Sequence, residues 1–340
     1  MNINHTRDAI AGLALVVGAL TATATTSAQP VDLAPNLTPL PAGNISLVND
    51  PATGRSTVRF STTSWNNGTG PLELVGGEVD PVSGKQNVYQ RIYLSDGTSF
   101  LHFAGLFEYH PEHFHIHFDD YALYSLLPVT ATGSSPPSGE KVSFCIEDTT
   151  KVDTRLPGAP HQAVYAACGF QVQGLSIGWG DTYGAQLPGQ EIDFTDAADG
   201  IYQLKIGIDP TGALIESDKT DNESCVLVDL HKPNLVNVLD SSGSCSTAVS
   251  ITPSSARIGT SVQVTIAGYG FTPGMSVSFE GGGGVRPVAS NVQLVSDTDT
   301  LDLLTATVTV PNKKQAGRDP VWNVRVGSGG ALVNAFTVTP

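Results

Sequence analysis

The sequence is poor in cysteine and in basic residues, and after its first 28 residues it has no apolar run long enough to cross a bilayer. Its four cysteines form no Cys-x-x-Cys pair, which argues against a thiol redox motif or a cysteine zinc site. Only 17 basic residues stand against 32 acidic ones, and they form no stripe, so nucleic acid is a poor candidate partner. No segment has the period of a long amphipathic helix.

The residues that are abundant favour an all-β fold. Glycine and proline number 36 and 22, and apolar residues often alternate with polar ones, which is typical of short strands joined by tight turns. Strands are predicted over residues 56–65, 72–75, 89–93, 108–118, 142–146, 191–194, 202–208 and 225–230. Residues 150–162 and 174–188 are predicted loops.

The first 28 residues have the pattern of a secretory signal peptide. Arg7 provides the positive region, residues 9–24 form an apolar run, and Thr26-Ser-Ala28 suits signal peptidase. A short N-terminal anchor is the alternative interpretation. The pattern predicts a secreted protein, extracellular or periplasmic, with no membrane span after signal removal.

Export would place the four cysteines in an oxidising compartment, where an even count favours two disulfides. Cys145, Cys168, Cys225 and Cys245 allow three connectivities. The pairing of sequence neighbours is the simplest of the three.

The composition changes near residue 246, after which acidic residues become scarce. Residues 247–340 carry short strands that fit one small sandwich. Their phrases Gly259-Thr-Ser-Val-Gln-Val-Thr-Ile-Ala-Gly268 and Gly270-Phe-Thr-Pro-Gly-Met-Ser-Val-Ser-Phe279 resemble the IPT/TIG immunoglobulin-like domain. That resemblance implies an accessory binding or spacing role whose partner the sequence does not indicate.

Five of the eight histidines lie between His102 and His117. Residues two apart in a strand point to the same face, so a strand would bring His113, His115 and His117 together, with apolar residues between them. Imidazole nitrogen is a good ligand for copper and zinc alike, and the histidines alone do not choose between the two. His110 is off this register and is either structural, a second layer around the metal or on the substrate side; His102 stays unassigned.

The segment Phe107-Glu-Tyr-His-Pro-Glu-His-Phe-His-Ile-His117 resembles the copper-binding segment of lysyl oxidases. Further stretches follow in the family's order: Lys141-Val-Ser-Phe-Cys-Ile-Glu-Asp-Thr149, Gln173-Gly-Leu-Ser-Ile-Gly-Trp-Gly-Asp-Thr-Tyr-Gly184 and Glu216-Ser-Asp-Lys-Thr-Asp-Asn222. The resemblance covers roughly residues 55–245 and implies a bacterial-type, secreted copper amine oxidase domain over 29–246, with a β-sandwich-like fold.

This resemblance implies the chemistry and the residues that perform it. The family oxidises primary amines, such as lysine side chains, to aldehydes with dioxygen, releasing hydrogen peroxide and ammonia. Copper(II) falls on His113, His115 and His117, and the lysine tyrosylquinone cofactor on Lys141 and Tyr183. The family's disulfides fall on Cys145–Cys168 and Cys225–Cys245.

A carboxylate would serve as the catalytic base. Asp119, Asp120 and Asp181 are the candidates, because they are near the copper segment or Tyr183 in sequence. The sequence does not choose among them.

The chain departs from the animal pattern around its histidines. Phe107 and Tyr109 stand where the animal segment has tryptophans, and Pro111-Glu112 replaces Ser-Cys, so one animal disulfide cannot form. Two other functions therefore stay open. One is a copper-binding protein without turnover, and the other is an extracellular adhesion protein; neither requires Lys141 or Tyr183.

Overall fold

The computed structural model describes residues 29–111, 114–129, 137, 139, 143–296, 301–313 and 320–340. Within these ranges the chain forms strands and no helix, which confirms the predicted all-β fold. The same ranges contain no helix of the length and apolarity that a membrane span requires. The predicted signal peptide, residues 1–28, lies outside the described residues.

Three sheets make up the first part of the fold. Their strands are β1 (Asp32–Leu33), β2 (Leu37–Pro39), β3 (Gly43–Asn49), β4 (Ser56–Asn66), β5 (Leu72–Val79), β6 (Gln86–Leu94), β7 (Ser99–His110), β8 (His115–Phe118), β9 (Ala122–Pro128), β10 (Thr150–Lys151), β11 (Val172–Leu175), β12 (Trp179–Tyr183), β13 (Glu191–Asp193), β14 (Gly200–Ile208), β15 (Glu223–His231) and β16 (Leu235–Gly243). The strand orders are β11-β5-β6-β7-β8 with β1 on β6, β10-β12-β4-β13 with β2 and β3 on β4, and β16-β15-β14-β9. All these pairs are antiparallel.

Strand β4 illustrates why the sequence folds this way. Its alternation buries Val58, Phe60, Thr62 and Ser64 on one face, as the two-residue period of a strand requires. Phe60 joins a single core to which all three sheets contribute. Strand β12 is the hydrogen-bonded neighbour of β4. The side chains that β12 directs into this core therefore lie beside the buried face of β4.

The last part of the chain forms a separate β-sandwich with its own core. Its strands are β17 (Thr247–Thr252), β18 (Ser255–Arg257), β19 (Ser261–Tyr269), β20 (Val277–Glu280), β21 (Val288–Ser296), β22 (Asp302–Thr309), β23 (Val321–Val326) and β24 (Leu332–Thr339). They form two four-stranded sheets, β17-β19-β22-β21 and β18-β24-β23-β20. The apolar residues of both sheets pack around Phe279 and Phe336, whose rings meet edge to face.

Hydrogen bonds join this sandwich to the outer side of the β16-β15-β14-β9 sheet. Gln203 donates to the Cys245 carbonyl (N···O 2.7 Å) and to the Thr247 hydroxyl (2.9 Å), and Tyr269 donates to the Pro128 carbonyl (2.7 Å). These bonds lie on the face of the sheet that is turned away from the core of the first part of the fold.

Some local predictions from the sequence are wrong. Residues 142–146 were predicted to form a strand, but of its described residues only Phe144 pairs, in an isolated bridge with Phe118. Residues 174–188 were predicted to be a loop, but they contain β12. Its five residues follow a glycine-rich stretch, and too few of them alternate for the pattern to reveal a strand.

A partly buried carboxylate connects the segment between β14 and β15 to β2. Glu216 accepts hydrogen bonds from the Leu37 amide (N···O 2.7 Å) and from the Asn222 side chain (2.8 Å). Burial raises the pKa of Glu216 from 4.5 to about 7, which outweighs the lowering by these two bonds. The contribution of the bound proton to the free energy of unfolding is therefore fully present below pH 4.5, and it is lost as the pH rises through 7.

Glu216→Gln should make stability less dependent on pH. Between pH 5 and pH 8 the free energy of unfolding of the unmodified protein should fall by roughly 2 to 3 kcal/mol more than that of the variant, since only the carboxyl group holds a proton in the fold that it loses as the pH rises. Urea denaturation at the two pH values measures both. Parallel pH dependence in the two proteins would contradict this assignment.

Candidate functional site

A β-hairpin carries the histidines. Strands β7 and β8 pair so that His110 lies opposite His115 and Glu108 opposite His117. The predicted single strand over 108–118 is therefore wrong, because the chain reverses after Pro111. The Phe114 amide donates to the His110 carbonyl (N···O 2.9 Å), and Phe114 has the left-handed φ of 58° that such a tight turn requires.

His115 and His117 project from the same face of β8, as the sequence predicts. Their Nε2 atoms are 2.9 Å apart, and His117 is completely buried. Two nitrogens bound to one ion at about 2.0–2.1 Å and at a right angle would be separated by about 2.9 Å. The pair therefore fits a shared metal, and imidazole suits copper in a tetragonal geometry. His113 lies outside the described residues, so the third ligand stays a prediction.

Two further side chains contact the ring of His117. Its Nδ1 is 3.2 Å from the Ser143 hydroxyl, an arrangement that orients the ring and leaves Nε2 directed towards His115. The ring of His110 stacks on it, with centroids 4.7 Å apart. The alternation of residues did not predict that His110 stacks on His117, because alternation alone makes the whole segment one strand. In the sequence, Pro111 was the only sign that the chain reverses.

An ion-pair cluster borders the hairpin. Lys85 Nζ is 2.8 Å from carboxylate oxygens of both Glu108 and Asp119, and these contacts raise the pKa of Lys85. Asp119 is half-buried, and burial raises its pKa although Lys85 opposes that shift. Asp120 is exposed in the turn after β8. Asp119 is thus engaged by a lysine, and Asp120 faces solvent.

Tyr183, at the end of β12, is anchored to the backbone of Cys145. Its hydroxyl accepts from the Cys145 amide (N···O 2.9 Å) and donates to the Cys145 carbonyl (2.8 Å). Its ring packs edge to face on Phe144, with centroids 4.9 Å apart. Burial, reinforced by the negative charge of Asp181, raises the pKa of Tyr183 far above its ordinary value, so the unmodified phenol keeps its proton.

A small internal cavity lies beside Tyr183. Its volume of about 10 Å³ leaves room for about one water molecule. Its polar lining comes from Thr62, Ser64, Tyr121, Tyr124, Asp181 and Tyr183. Asp181 is buried and accepts from the Thr149 hydroxyl (O···O 3.4 Å). Of the three aspartates singled out in the sequence, Asp181 is the one that lines this cavity with Tyr183.

The segment from Ser143 to Cys145 connects the histidines to the tyrosine. Ser143 contacts His117, Phe144 exchanges two backbone hydrogen bonds with Phe118 (N···O 2.7 and 3.0 Å), and Cys145 holds the Tyr183 hydroxyl. Lys141 precedes this segment by two residues and lies outside the described residues. The segment that follows Lys141 in the sequence thus contacts both the histidine pair and Tyr183.

The structure contains two disulfides, Cys145–Cys168 and Cys225–Cys245, the pairs that adjacency and the resemblance imply. Within the described ranges, a group of metal-ligand type also forms where the Glu147 carboxylate approaches the sulfurs of Cys145 and Cys168. Disulfide sulfurs are not thiolates, so this group is unsuited to a metal. The histidine pair remains the candidate metal centre.

Comparison with known proteins finds a family match that spans the candidate site. Residues 100–238 match the family model described as lysyl oxidase. The chain is 40% identical over 116 residues to human lysyl oxidase homolog 1 and to human protein-lysine 6-oxidase, and 38% identical to protein-lysine 6-oxidase from Sus scrofa. Each match covers 34% of this chain and, respectively, 19%, 26% and 43% of the relative, so less than half of each relative's length is spanned.

Proposed function

We propose that this chain is a secreted copper- and quinone-dependent amine oxidase. It would convert a primary amine, dioxygen and water to an aldehyde, hydrogen peroxide and ammonia. Its substrates would be lysine side chains of proteins or small amines. The observation that carries the proposal is the segment 143–145, which contacts His117 on one side and Tyr183 on the other and begins two residues after Lys141 in the sequence.

The proposal assigns the metal to His113, His115 and His117, and the lysine tyrosylquinone crosslink to Lys141 and Tyr183. The Nε2 separation of 2.9 Å and the second bond of His117 to Ser143 support this metal site. When bound, copper and the quinone supply the redox chemistry that amino-acid side chains lack. The protein's part is to bind, orient and move protons.

The chain's own residues have distinct tasks in this proposal. Ser143 orients the His117 ring, and the Cys145 backbone orients the phenol that becomes the cofactor. Asp181 is the best-situated carboxylate to accept a proton, because it is buried beside Tyr183. Asp119 is paired with Lys85, and Asp120 is exposed, which makes both poorer acceptors.

We extend the proposal to the chain's organisation. Residues 1–28 would be a signal peptide, 29–246 the oxidase domain and 247–340 an IPT/TIG immunoglobulin-like accessory domain. Two separate hydrophobic cores support the division, and two disulfides support export to an extracellular or periplasmic compartment. The hydrogen bonds of Gln203 and Tyr269 would hold the accessory domain on the oxidase domain.

Peptide mass spectrometry on copper-loaded protein matured in air tests the proposal. We expect a crosslinked peptide pair that joins Lys141 to Tyr183 and reacts with phenylhydrazine. Protein prepared without copper, or under nitrogen, is the control and should yield the two unmodified peptides. Unmodified peptides from fully copper-loaded, air-matured protein would overturn the enzyme and favour a copper-binding protein without turnover.

A further inference from the structure

Gln173 is a completely buried amide whose three hydrogen bonds join separate segments. Its Nε2 donates to the Ile116 carbonyl (N···O 2.9 Å) and to the Gly169 carbonyl (3.1 Å). Its Oε1 accepts from the Ile146 amide (3.0 Å). The side chain thus uses both amide hydrogens and its oxygen on backbone groups.

Two of these three segments belong to the proposed site. Ile116 lies between His115 and His117 on β8, and Ile146 follows Cys145, whose backbone holds the Tyr183 hydroxyl. Gln173 itself lies on β11, at the opposite end of the β11-β5-β6-β7-β8 sheet from β8. Its bond to Ile116 therefore joins the two ends of that sheet and connects the histidine strand to the anchor of the tyrosine.

The Cys145–Cys168 disulfide makes the same connection by a second route. Cys145 carries the bonds to Tyr183, and the Cys168 carbonyl accepts from the Ile116 amide (N···O 3.3 Å). Ile116 is thus held at its carbonyl by Gln173 and at its amide by Cys168. Both backbone polar groups of Ile116, the residue between the two histidines, are therefore fixed by segments that also fix Tyr183.

We infer that Gln173 is a positioning residue for the metal and cofactor site: together with the Cys145–Cys168 disulfide it fixes the His115–His117 pair relative to Tyr183. The inference deepens the proposed function. It rests on that function, which gives the reason why the position of the histidine pair relative to Tyr183 matters. No residue other than glutamine or asparagine offers two amide donors and an acceptor in one plane, and asparagine is one methylene shorter. Its loss would leave the Ile116 carbonyl of β8 and the buried Ile146 amide without these bonds.

Gln173→Met tests this role, with Gln90→Met as the matched control. Gln90, on β6, is also completely buried, and its side-chain amide also bonds to backbone groups. It donates to the Ile215 carbonyl (N···O 2.8 Å) and accepts from the Ile215 amide (2.7 Å). Neither Gln90 nor Ile215 contacts the histidine hairpin or the 143–146 segment through these bonds. Both variants should lower the melting temperature, so the control accounts for effects that come from a general loss of stability.

The first measurement is copper(II) affinity of the full chain, by competition with a chelator, together with the copper(II) electron paramagnetic resonance spectrum. We expect Gln173→Met to weaken copper binding at least about tenfold and to change the spectrum, since residues that orient metal ligands typically contribute 10- to 100-fold. Gln90→Met should retain the affinity within about twofold. The second measurement is the yield of Lys141–Tyr183 crosslink per bound copper, which should fall in Gln173→Met alone.

The two readouts separate this inference from the proposed function. Absence of the crosslink in the unmodified protein would contradict the quinone, whereas a copper affinity lost only in Gln173→Met would still support the positioning role. Unchanged affinity and spectrum in Gln173→Met, or equal losses in both variants, would overturn it. If Gln173→Met does not fold, Gln173→Glu replaces it, because glutamate keeps the acceptor for Ile146. Lower pH weakens copper binding in both proteins by protonating the histidines, but the ratio of the variant's affinity to that of the unmodified protein at the same pH should rise as protonation of the introduced carboxylate restores a donor for Ile116.

Discussion

Tyr183→Phe should abolish amine oxidation while copper binding stays intact. Phenylalanine keeps the ring that packs on Phe144, but it lacks the phenol oxygen from which a quinone would form. Hydrogen peroxide release from a primary amine should fall at least about 10³-fold, and the quinone absorbance should be missing, because no side chain replaces this redox group. Bound copper, measured by atomic absorption, should remain at the level of the unmodified protein.

The Tyr183 variant also removes the two hydrogen bonds to Cys145, so a control for stability is required. Tyr202→Phe provides it: Tyr202 is buried, packs edge to face on Phe194, and donates its hydroxyl to the Ala198 carbonyl (O···O 2.6 Å). It lies on β14, outside the candidate site, and its variant should keep both colour and activity. Normal activity in Tyr183→Phe would end the cofactor assignment.

His115→Ala should reduce copper affinity at least about 100-fold, because it removes an imidazole nitrogen that faces His117 at 2.9 Å. His115 is only partly buried, so the fold should tolerate the change. Equilibrium dialysis against copper(II) measures the affinity, and amine oxidation should fall with copper content.

His102→Ala is the matched control for His115. His102 is one of the same five histidines in the sequence, but it lies on the part of β7 that does not pair with β8, and its Nε2 contacts the Ala213 carbonyl (N···O 3.2 Å). Its variant should bind copper as the unmodified protein does. If His115→Ala retained its copper, His115 would have to be removed from the ligand set.

Alternation of apolar and polar residues predicted some of the long strands because one face of each of these is buried. β4, β14 and β15 are examples: each extends for nine or more residues and buries one of its faces in the common core. The hairpin was missed because His-x-His-x-His alternates through a turn as readily as along a strand. Phe114, expected on a buried face, is 83% exposed at the hairpin's tip.

The site residues that depend on distant contacts could not be predicted from the pattern. Gln173 resembles an ordinary surface residue in the sequence, yet its partners Ile146 and Ile116 are 27 and 57 residues away. The position of Tyr183 depends on β12, which is too short to alternate visibly, and on the backbone of Cys145. The candidate roles of Lys141 and Tyr183 came from a family resemblance, since neither residue is conspicuous by itself.

Strand β8 ends its sheet, and open sheet edges usually accept a strand from another molecule. Here the Ile116 amide already bonds Cys168, the Ile116 carbonyl bonds Gln173, and the Phe118 amide bonds Phe144. A peptide therefore cannot dock beside the histidines by strand addition, which would read its backbone and its alternate side chains. Under the proposed function, an amine substrate would approach this edge with its side chain first, and lysines in many different sequence contexts would then be equivalent to the protein.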